Sequence, residues 1–111
     1  MGQYHKLYNL DKKEVVCGHG IGCGVKLLEQ VGFPKSTSTA LFLLVSNSNG
    51  RGGGDAEGHP LIGSWAGDRI VLQGDYAEEG DRALIPDADL RAFRDISLHV
   101  SDMLDVALRR F

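Results

Sequence analysis

The sequence predicts one α+β domain, residues 1–111, in which an antiparallel sheet packs against a buried helix and a C-terminal amphipathic helix. Two segments near the start carry the aromatic and β-branched residues that are typical of a hairpin. Residues 69–74 have the same character, and the C-terminal segment repeats apolar side chains at three- and four-residue steps. A length of 111 residues fits a single domain with one hydrophobic core.

The first predicted element is a hairpin with strands at residues 4–8 and 14–17. The polar residues 9–13 (NLDKK) between them are typical of a turn. Because side chains alternate between the two faces of a strand, we expect Lys6 and Leu7 on opposite faces of the sheet. The glycines that follow the hairpin interrupt regular structure.

The next segments lead to a predicted buried helix at residues 38–46, because its apolar run leaves no polar face. Ser36, Thr37 and Ser38 are the candidate N-caps of this helix. A buried strand is the alternative for the same run, since periodicity does not separate the two. Residues 25–31 (VKLLEQV) fit either a strand or a short helix.

Residues 46–59 (SNSNGRGGGDAEGH) form the longest predicted loop, which lacks apolar anchors and is expected to be exposed and mobile. The strand at residues 69–74 follows it, and the acidic residues 75–81 predict a turn.

The C-terminal helix is predicted to begin at residues 95–97 or, alternatively, at residues 86–87. Its apolar stripe consists of Leu90, Phe93, Ile96, Val100, Met103, Leu104, Ala107 and Phe111. A terminal residue is frayed unless it docks, so the stripe predicts a homodimer in which this helix takes part. In the alternative, Ile70, Leu72 and the predicted helix around residues 41–44 cover the stripe within one monomer.

Charge and hydropathy exclude several classes of function. The net charge is −3, and the three excess basic residues of 1–51 are outweighed by the six excess acidic residues of 52–111. This balance does not favour nucleic-acid binding, which needs clustered Lys and Arg. The longest apolar run, residues 40–45, is too short for a bilayer, and the first residues lack a secretory signal. We therefore expect a cytoplasmic protein without a membrane partner or a cofactor.

Two stretches, MGQYHKLYNLDKKE at residues 1–14 and GSWAGDRIVLQGDYA at residues 63–77, resemble a family of small uncharacterised bacterial proteins, with looser fungal members. The resemblance implies which positions define the family, and it assigns no activity to them. These positions are Tyr4, Asn9, Asp11, Lys12, Trp65, Gly67, Asp68, Arg69, Gly74, Asp75 and Tyr76. The cysteine-containing segment CGHGIGC is not part of the resemblance.

The second stretch contains two Gly-Asp pairs, which raise the question of a catalytic carboxylate pair. If a strand separates Asp68 from Asp75, seven steps of about 3.3 Å place them roughly 23 Å apart. Paired catalytic carboxylates lie within about 10 Å of each other. We therefore predict that each Gly-Asp pair is a turn at one end of the strand. Asp75 acting with residues of another element remains a weaker hypothesis.

The segment CGHGIGC offers three side chains of the kind that bind zinc, Cys17, His19 and Cys23. It lacks the paired Cys-x2–4-Cys spacing of structural zinc sites, so we expect two reduced thiols and no metal. A zinc site, or a nucleophilic Cys23, is the alternative.

The favoured function is a cytosolic, non-enzymatic binding or assembly module of unknown ligand, because no catalytic constellation can be assembled from the sequence. The alternative is a small hydrolase or transferase with a polar site around residues 65–69 and Asp75. In either case the candidate ligand- or partner-binding residues are Trp65, Asp68, Arg69, Asp75 and Tyr76. A concave pocket with convergent polar groups around residues 65–69 would favour an enzyme or a ligand site, and a flat apolar surface there would favour assembly.

Overall fold

The computed structural model describes residues 3–79 and 83–109, which form a four-stranded sheet with helices packed on it. The strands are β1 (His5–Asn9), β2 (Glu14–Val16), β3 (Ile70–Gly74) and β4 (Arg94–Asp95). The α-helices are α1 (Thr37–Val45) and α2 (Ser97–Leu108), and short 3-10 helices lie at Gly18–Ile21, Leu27–Gln30, Asp75–Glu79 and Asp87–Ala92. The predicted α+β class is confirmed.

The predicted hairpin is confirmed, with β1 antiparallel to β2 and Leu7 opposite Val16. Its turn is closed by the Asn9 side chain, whose Oδ1 accepts the N–H groups of Asp11 (2.9 Å) and Lys12 (2.8 Å). Strand β3 pairs antiparallel with the other side of β1. A single asparagine thus fixes the turn between the first two strands.

The sheet is mixed, which corrects the prediction of a purely antiparallel sheet. Strand β4 runs parallel to β2, with Glu14 opposite Arg94, and gives the strand order β3-β1-β2-β4. The N–H of Arg94 donates to Lys13 O at 2.8 Å, and that of Ile96 donates to Val15 O at 3.0 Å. Two residues of strand carry no periodic pattern, so this strand left no signal in the sequence.

The predicted helix at 38–46 is present as α1, but only one face of it is buried. Ala40 and Leu44 lie in the core, whereas Phe42 is 76% exposed. The N-cap is Ser36, whose Oγ accepts the N–H of Thr39 at 3.4 Å. The ambiguous segment before it forms the 3-10 helix Leu27–Gln30.

Both faces of the sheet are covered by apolar side chains. On one face, α1, α2 and the 3-10 helix Gly18–Ile21 pack on β1 and β2 around a buried cluster of Leu7, Val16, Ile21, Cys23, Ala40, Leu44, Trp65, Ile96, Val100, Met103 and Leu104. On the other face, Tyr8 and Val15 contact Ile85 and Phe93. The rings of Tyr8 and Phe93 meet edge to face, with their centroids 5.2 Å apart.

Helix α2 begins at Ser97, within the predicted start at residues 95–97. The Asp95 carboxylate accepts the N–H of Ser97, the first helical residue, at 2.8 Å and so satisfies one of the free donors of the first turn. Leu90 and Phe93, which were assigned to the helix stripe, precede α2 and belong to the second cluster. Phe111 lies outside the described residues. Within the described part of the chain, no helix is long and apolar enough to cross a membrane.

The predicted loop at 46–59 has no regular structure, and irregular backbone continues as far as Arg69. The part of this irregular segment after residue 59 is held against α1. The N–H of Gly63 donates to Leu43 O at 2.9 Å, and that of Trp65 donates to Leu44 O at 2.8 Å. These bonds bring Trp65 into the core just before β3 begins.

Candidate functional site

The two stretches at residues 1–14 and 63–77 meet at the hairpin turn. Asp11 accepts two hydrogen bonds from Arg69, from its backbone N–H (2.7 Å) and from Nε (2.9 Å). The two side chains also form an ion pair, with Nη2 of Arg69 2.8 Å from Oδ1 of Asp11. Asp68 accepts Nδ2 of Asn9 at 2.9 Å and forms an ion pair with Lys12 at 2.5 Å. These five residues join the hairpin turn to the start of β3. We call them the polar clamp: Asn9, Asp11, Lys12, Asp68 and Arg69.

Electrostatics in the polar clamp favour both ionised carboxylates. Backbone and side-chain hydrogen bonds from Arg69 lower the pKa of Asp11 below its ordinary value. Hydrogen bonds from Lys12 and Asn9 lower the pKa of Asp68 in the same direction. Both groups therefore remain anionic acceptors at neutral pH, and neither is poised to donate a proton.

The polar clamp predicts an acid-dependent loss of stability. Because folding lowers both pKa values, the stabilisation is complete above the unfolded-state pKa of about 4 and is lost as the pH falls through the folded values. We expect the double variant Asp11→Asn/Asp68→Asn to lose less stability than the wild type when urea unfolding is repeated from about pH 5 down to about pH 2. The exposed pair Asp87→Asn/Asp89→Asn is the matched control, and an acid dependence of the clamp variant equal to that of the wild type would contradict the assignment.

Trp65 has no exposed surface and lies in the main core cluster. Its Nε1–H donates to Glu14 Oε1 at 2.7 Å, and Glu14 Oε2 accepts Nη2 of Arg94 at 2.8 Å. The indole thus joins β2, β4 and the segment before β3. This placement leaves no side-chain surface of Trp65 accessible to a ligand.

Asp75 lies at the other end of β3, as predicted. Its Oδ1 accepts the N–H of Tyr4 at 3.0 Å, and its own N–H donates to Tyr4 O at 2.9 Å. Asp68 contacts the opposite end of β1, at Asn9. The two aspartates therefore do not form a pair. Tyr76, which follows Asp75, is exposed.

The candidate zinc ligands occupy three different surroundings. Cys17 is half-buried, and its N–H donates to Ser97 Oγ at 2.8 Å. Cys23 is buried with its Sγ 3.4 Å from Thr37 Oγ1, and His19 is exposed. Both cysteines are free thiols. Across residues 3–79 and 83–109, no group of three or more His, Cys, Asp or Glu side chains is arranged to hold a metal ion.

Sequence reasoning missed an apolar groove beside β3, on the sheet face that carries Leu7 and Leu72. Its volume is about 180 Å³, and it is lined by Leu7, Leu27, Gln30, Val31, Thr37, Ser38, Leu41 and Leu72. Leu27, Val31 and Leu72 are 44%, 54% and 39% exposed, respectively. The available signal was the apolar content of residues 25–31, which fitted either a strand or a short helix and therefore assigned no face to the surface.

The groove adjoins the outer edge of the sheet. The bonds from Leu10 N–H to Arg69 O and from Asp75 N–H to Tyr4 O set the alternation of the β1–β3 ladder. In that alternation Val71 and Gln73 bond to β1, while the backbone groups of Ile70, Leu72 and Gly74 point away from it. Within the described part of the chain, no strand pairs with this edge.

A second groove, of about 240 Å³, lies on the opposite sheet face and is lined by Tyr4, Lys6, Tyr8, Gln73, Gly74, Asp75 and Leu90. The Gln73 amide is committed to the backbone of Leu84 and Ile85. Burial raises the pKa of Tyr8 above its ordinary value, so its hydroxyl stays protonated at neutral pH. Neither groove is lined by residues 65–69.

The fold and these surfaces define a small α+β domain with an open sheet edge beside an apolar groove. No family model, curated protein or solved structure gives a significant match to the chain.

Proposed function

We propose that the protein is a non-enzymatic protein-binding module that holds an extended segment of a partner along the outer edge of β3. The observation that carries the proposal is the position of the apolar groove directly beside that edge. Exposed apolar surface that is contiguous and concave marks interaction sites on soluble proteins.

The size of the groove favours side chains over a small molecule as its occupant. Small-molecule sites usually enclose about 300–1,000 Å³. The groove encloses about 180 Å³, which suits one or two apolar side chains of a protein segment. Its rim residues Leu27, Val31 and Leu72 supply the exposed apolar contact area.

The backbone of the outer β3 edge provides a second set of contacts to the partner, in addition to the groove. The outward backbone groups of Ile70 and Leu72 can bond to an extended chain, as in complexes formed by strand addition. Main-chain bonds give such a complex affinity, and a pocket for alternate side chains gives it specificity. The expected ligand is therefore a strand with apolar residues at every second position.

The alternative of a small hydrolase or transferase has weaker support. Asp68 and Arg69 are engaged with Lys12 and Asp11 in the polar clamp. Asp75 lies beyond the other end of β3, so these groups do not converge on one reactant. We further propose a cytoplasmic location, supported by the free thiols of both cysteines.

The proposal can be tested by panning a displayed library of random heptapeptides against the purified protein. We expect the enriched peptides to carry apolar residues at alternate positions, because a strand presents every second side chain to one face. Leu72→Lys should abolish their binding by placing a charge at the groove rim. Leu98→Lys is the matched control, since Leu98 is exposed on α2 and does not line the groove.

A different set of results would contradict the proposal. Enriched peptides with apolar residues at three- and four-residue steps would indicate a helix as ligand. Peptides that bind the Leu72→Lys protein as well as the wild type would place the contact surface elsewhere. Circular dichroism of both lysine variants establishes that the fold is intact.

A further inference from the structure

Strand β3 itself has the properties expected of a ligand for its own edge. It is extended, and Ile70 and Leu72 are apolar residues at alternate positions on the face of the groove. A cation and an anion flank it, because Arg69 precedes the strand and Asp75 follows it. An antiparallel strand of the same sequence would carry these charges in the opposite order.

We propose that the partner is a second copy of this chain, with the two β3 strands paired antiparallel about a two-fold axis at Leu72. The inference rests on the proposed protein-binding function and names its occupant. In this register Leu72 lies opposite Leu72, and Ile70 lies opposite Gly74 of the second copy. Arg69 then lies opposite Asp75 of the second copy, and the symmetry repeats this contact.

The hydrogen-bonding pattern of the edge is compatible with this register. The outward residues of β3 are Ile70, Leu72 and Gly74, as the ladder with β1 requires. Gly74 is buried with the Gln3 side chain against it, so pairing at this position requires that flexible side chain to move. An axis at Leu72 matches each outward residue with an outward residue of the second copy, so every pair can exchange both bonds. The two sheets become one continuous sheet, and the exposed edge is removed from both copies.

Neighbouring registers lack the charge complementarity. An axis at Val71 places Arg69 opposite Gln73, and an axis at Gln73 places it opposite Ala77. Only the central register among these three joins opposite charges and overlaps the strands over their whole length. Electrostatic complementarity of this kind selects one register over its neighbours.

The flanking charges are accessible to a second copy. The Arg69 side chain is 73% exposed even though its Nε and Nη2 contact Asp11. Asp75 is exposed beyond the end of β3. The Leu72 side chains of the two copies lie beside each other on the groove face, where directly opposed residues are about 5 Å apart.

The test uses two charge-reversal variants of the full chain, Arg69→Glu and Asp75→Arg. In either variant alone, like charges face each other at both ends of the paired strands. We expect each to dimerise at least tenfold more weakly than the wild type in sedimentation velocity over a micromolar concentration series. An equimolar mixture should form a heterodimer with near wild-type affinity, because both contacts then join opposite charges.

Each outcome decides the inference. Dimers that are indifferent to the reversals, or a mixture that remains monomeric while both variants are folded, overturn this register. A wild type that stays a 12.0 kDa monomer at high micromolar concentration overturns the second copy as partner. If either reversal prevents folding, the Leu72→Lys variant tests the same edge, with Leu98→Lys as the control. A Leu72→Lys protein that dimerises as tightly as the wild type overturns the inference. Peptide panning still separates the two proposals, since peptide binding by a monomer leaves the protein-binding function standing.

Discussion

Replacement of Trp65 by alanine is expected to lower the free energy of unfolding by about 3–5 kcal/mol. The indole is fully buried in the main core cluster, so truncation removes its apolar contacts and leaves a cavity. It also removes the donor to Glu14 Oε1. Domains of this size have a total stability of about 5–15 kcal/mol, so the variant is expected to lose a large share of it.

Urea unfolding followed by far-UV circular dichroism measures this loss. Trp65→Phe is the matched variant, because it keeps an aromatic ring in the core and removes the Nε1–H that bonds Glu14. We expect it to cost less, about 1–3 kcal/mol, which reports the unpaired Glu14 acceptor. An alanine variant as stable as the wild type would show that Trp65 lies at the surface, where the sequence also allowed it to bind a ligand.

The elements that the sequence predicted are those with a strong local pattern. The hairpin joins segments only a few residues apart, with turn-forming residues between them. Strand β3 and helix α2 have clear periodicity, and their observed bounds differ from the predicted ones by a few residues. Contacts between near neighbours follow from residue type and spacing alone.

The features that the sequence did not predict depend on distant contacts. Strand β4 exists because it bonds to β2, about 80 positions earlier in the chain. Phe42 is exposed because α1 packs with one face only, although its composition is apolar all round. The groove is lined by residues from several separate segments of the chain. No single segment has a sequence pattern from which the groove could be predicted.

The polar clamp also depends on contacts between distant segments, so its pairing could not be predicted from the sequence. Asp68 and Arg69 stand out in the sequence, and so does Asp11, but the contact that joins them spans 58 positions. The sequence therefore predicted which residues matter without predicting their mutual pairing. That pairing shows that these residues fasten β3 against the hairpin turn, a structural role that the sequence did not indicate.

The glycines of the CGHGIGC segment have a packing explanation that the sequence did not provide. A Cβ at Gly18 would lie 2.3 Å from the carbonyl oxygen of Gly24. A Cβ at Gly20 would lie 2.4 Å from Cβ of Ser97, at the start of α2. Both distances are far below van der Waals contact, so these positions require glycine for close approach.

Gly20→Ala is therefore expected to destabilise the protein by about 2–3 kcal/mol and to lower its melting temperature by about 10 °C. The added methyl group must displace Ser97, whose Oγ accepts the N–H of Cys17 at 2.8 Å and donates to Asp95. The variant thus combines a steric clash with the loss of bonds that hold the start of α2. Differential scanning calorimetry measures both the temperature and the enthalpy of the transition.

Two further variants separate the clash from the general effect of alanine. Gly53→Ala is the matched control, because a Cβ there meets no atom within 4 Å, and we expect it to change stability by less than about 0.5 kcal/mol. Ser97→Gly removes the atom that the added methyl group would strike, so it should cost less in the Gly20→Ala background than in the wild type. If the two effects simply add to within about 0.5 kcal/mol, the residues are not in contact. If the effects do not add, Gly20 and Ser97 are coupled. That coupling would show that the glycine spacing serves the packing of α2, with no need for a ligand at Cys17, His19 and Cys23.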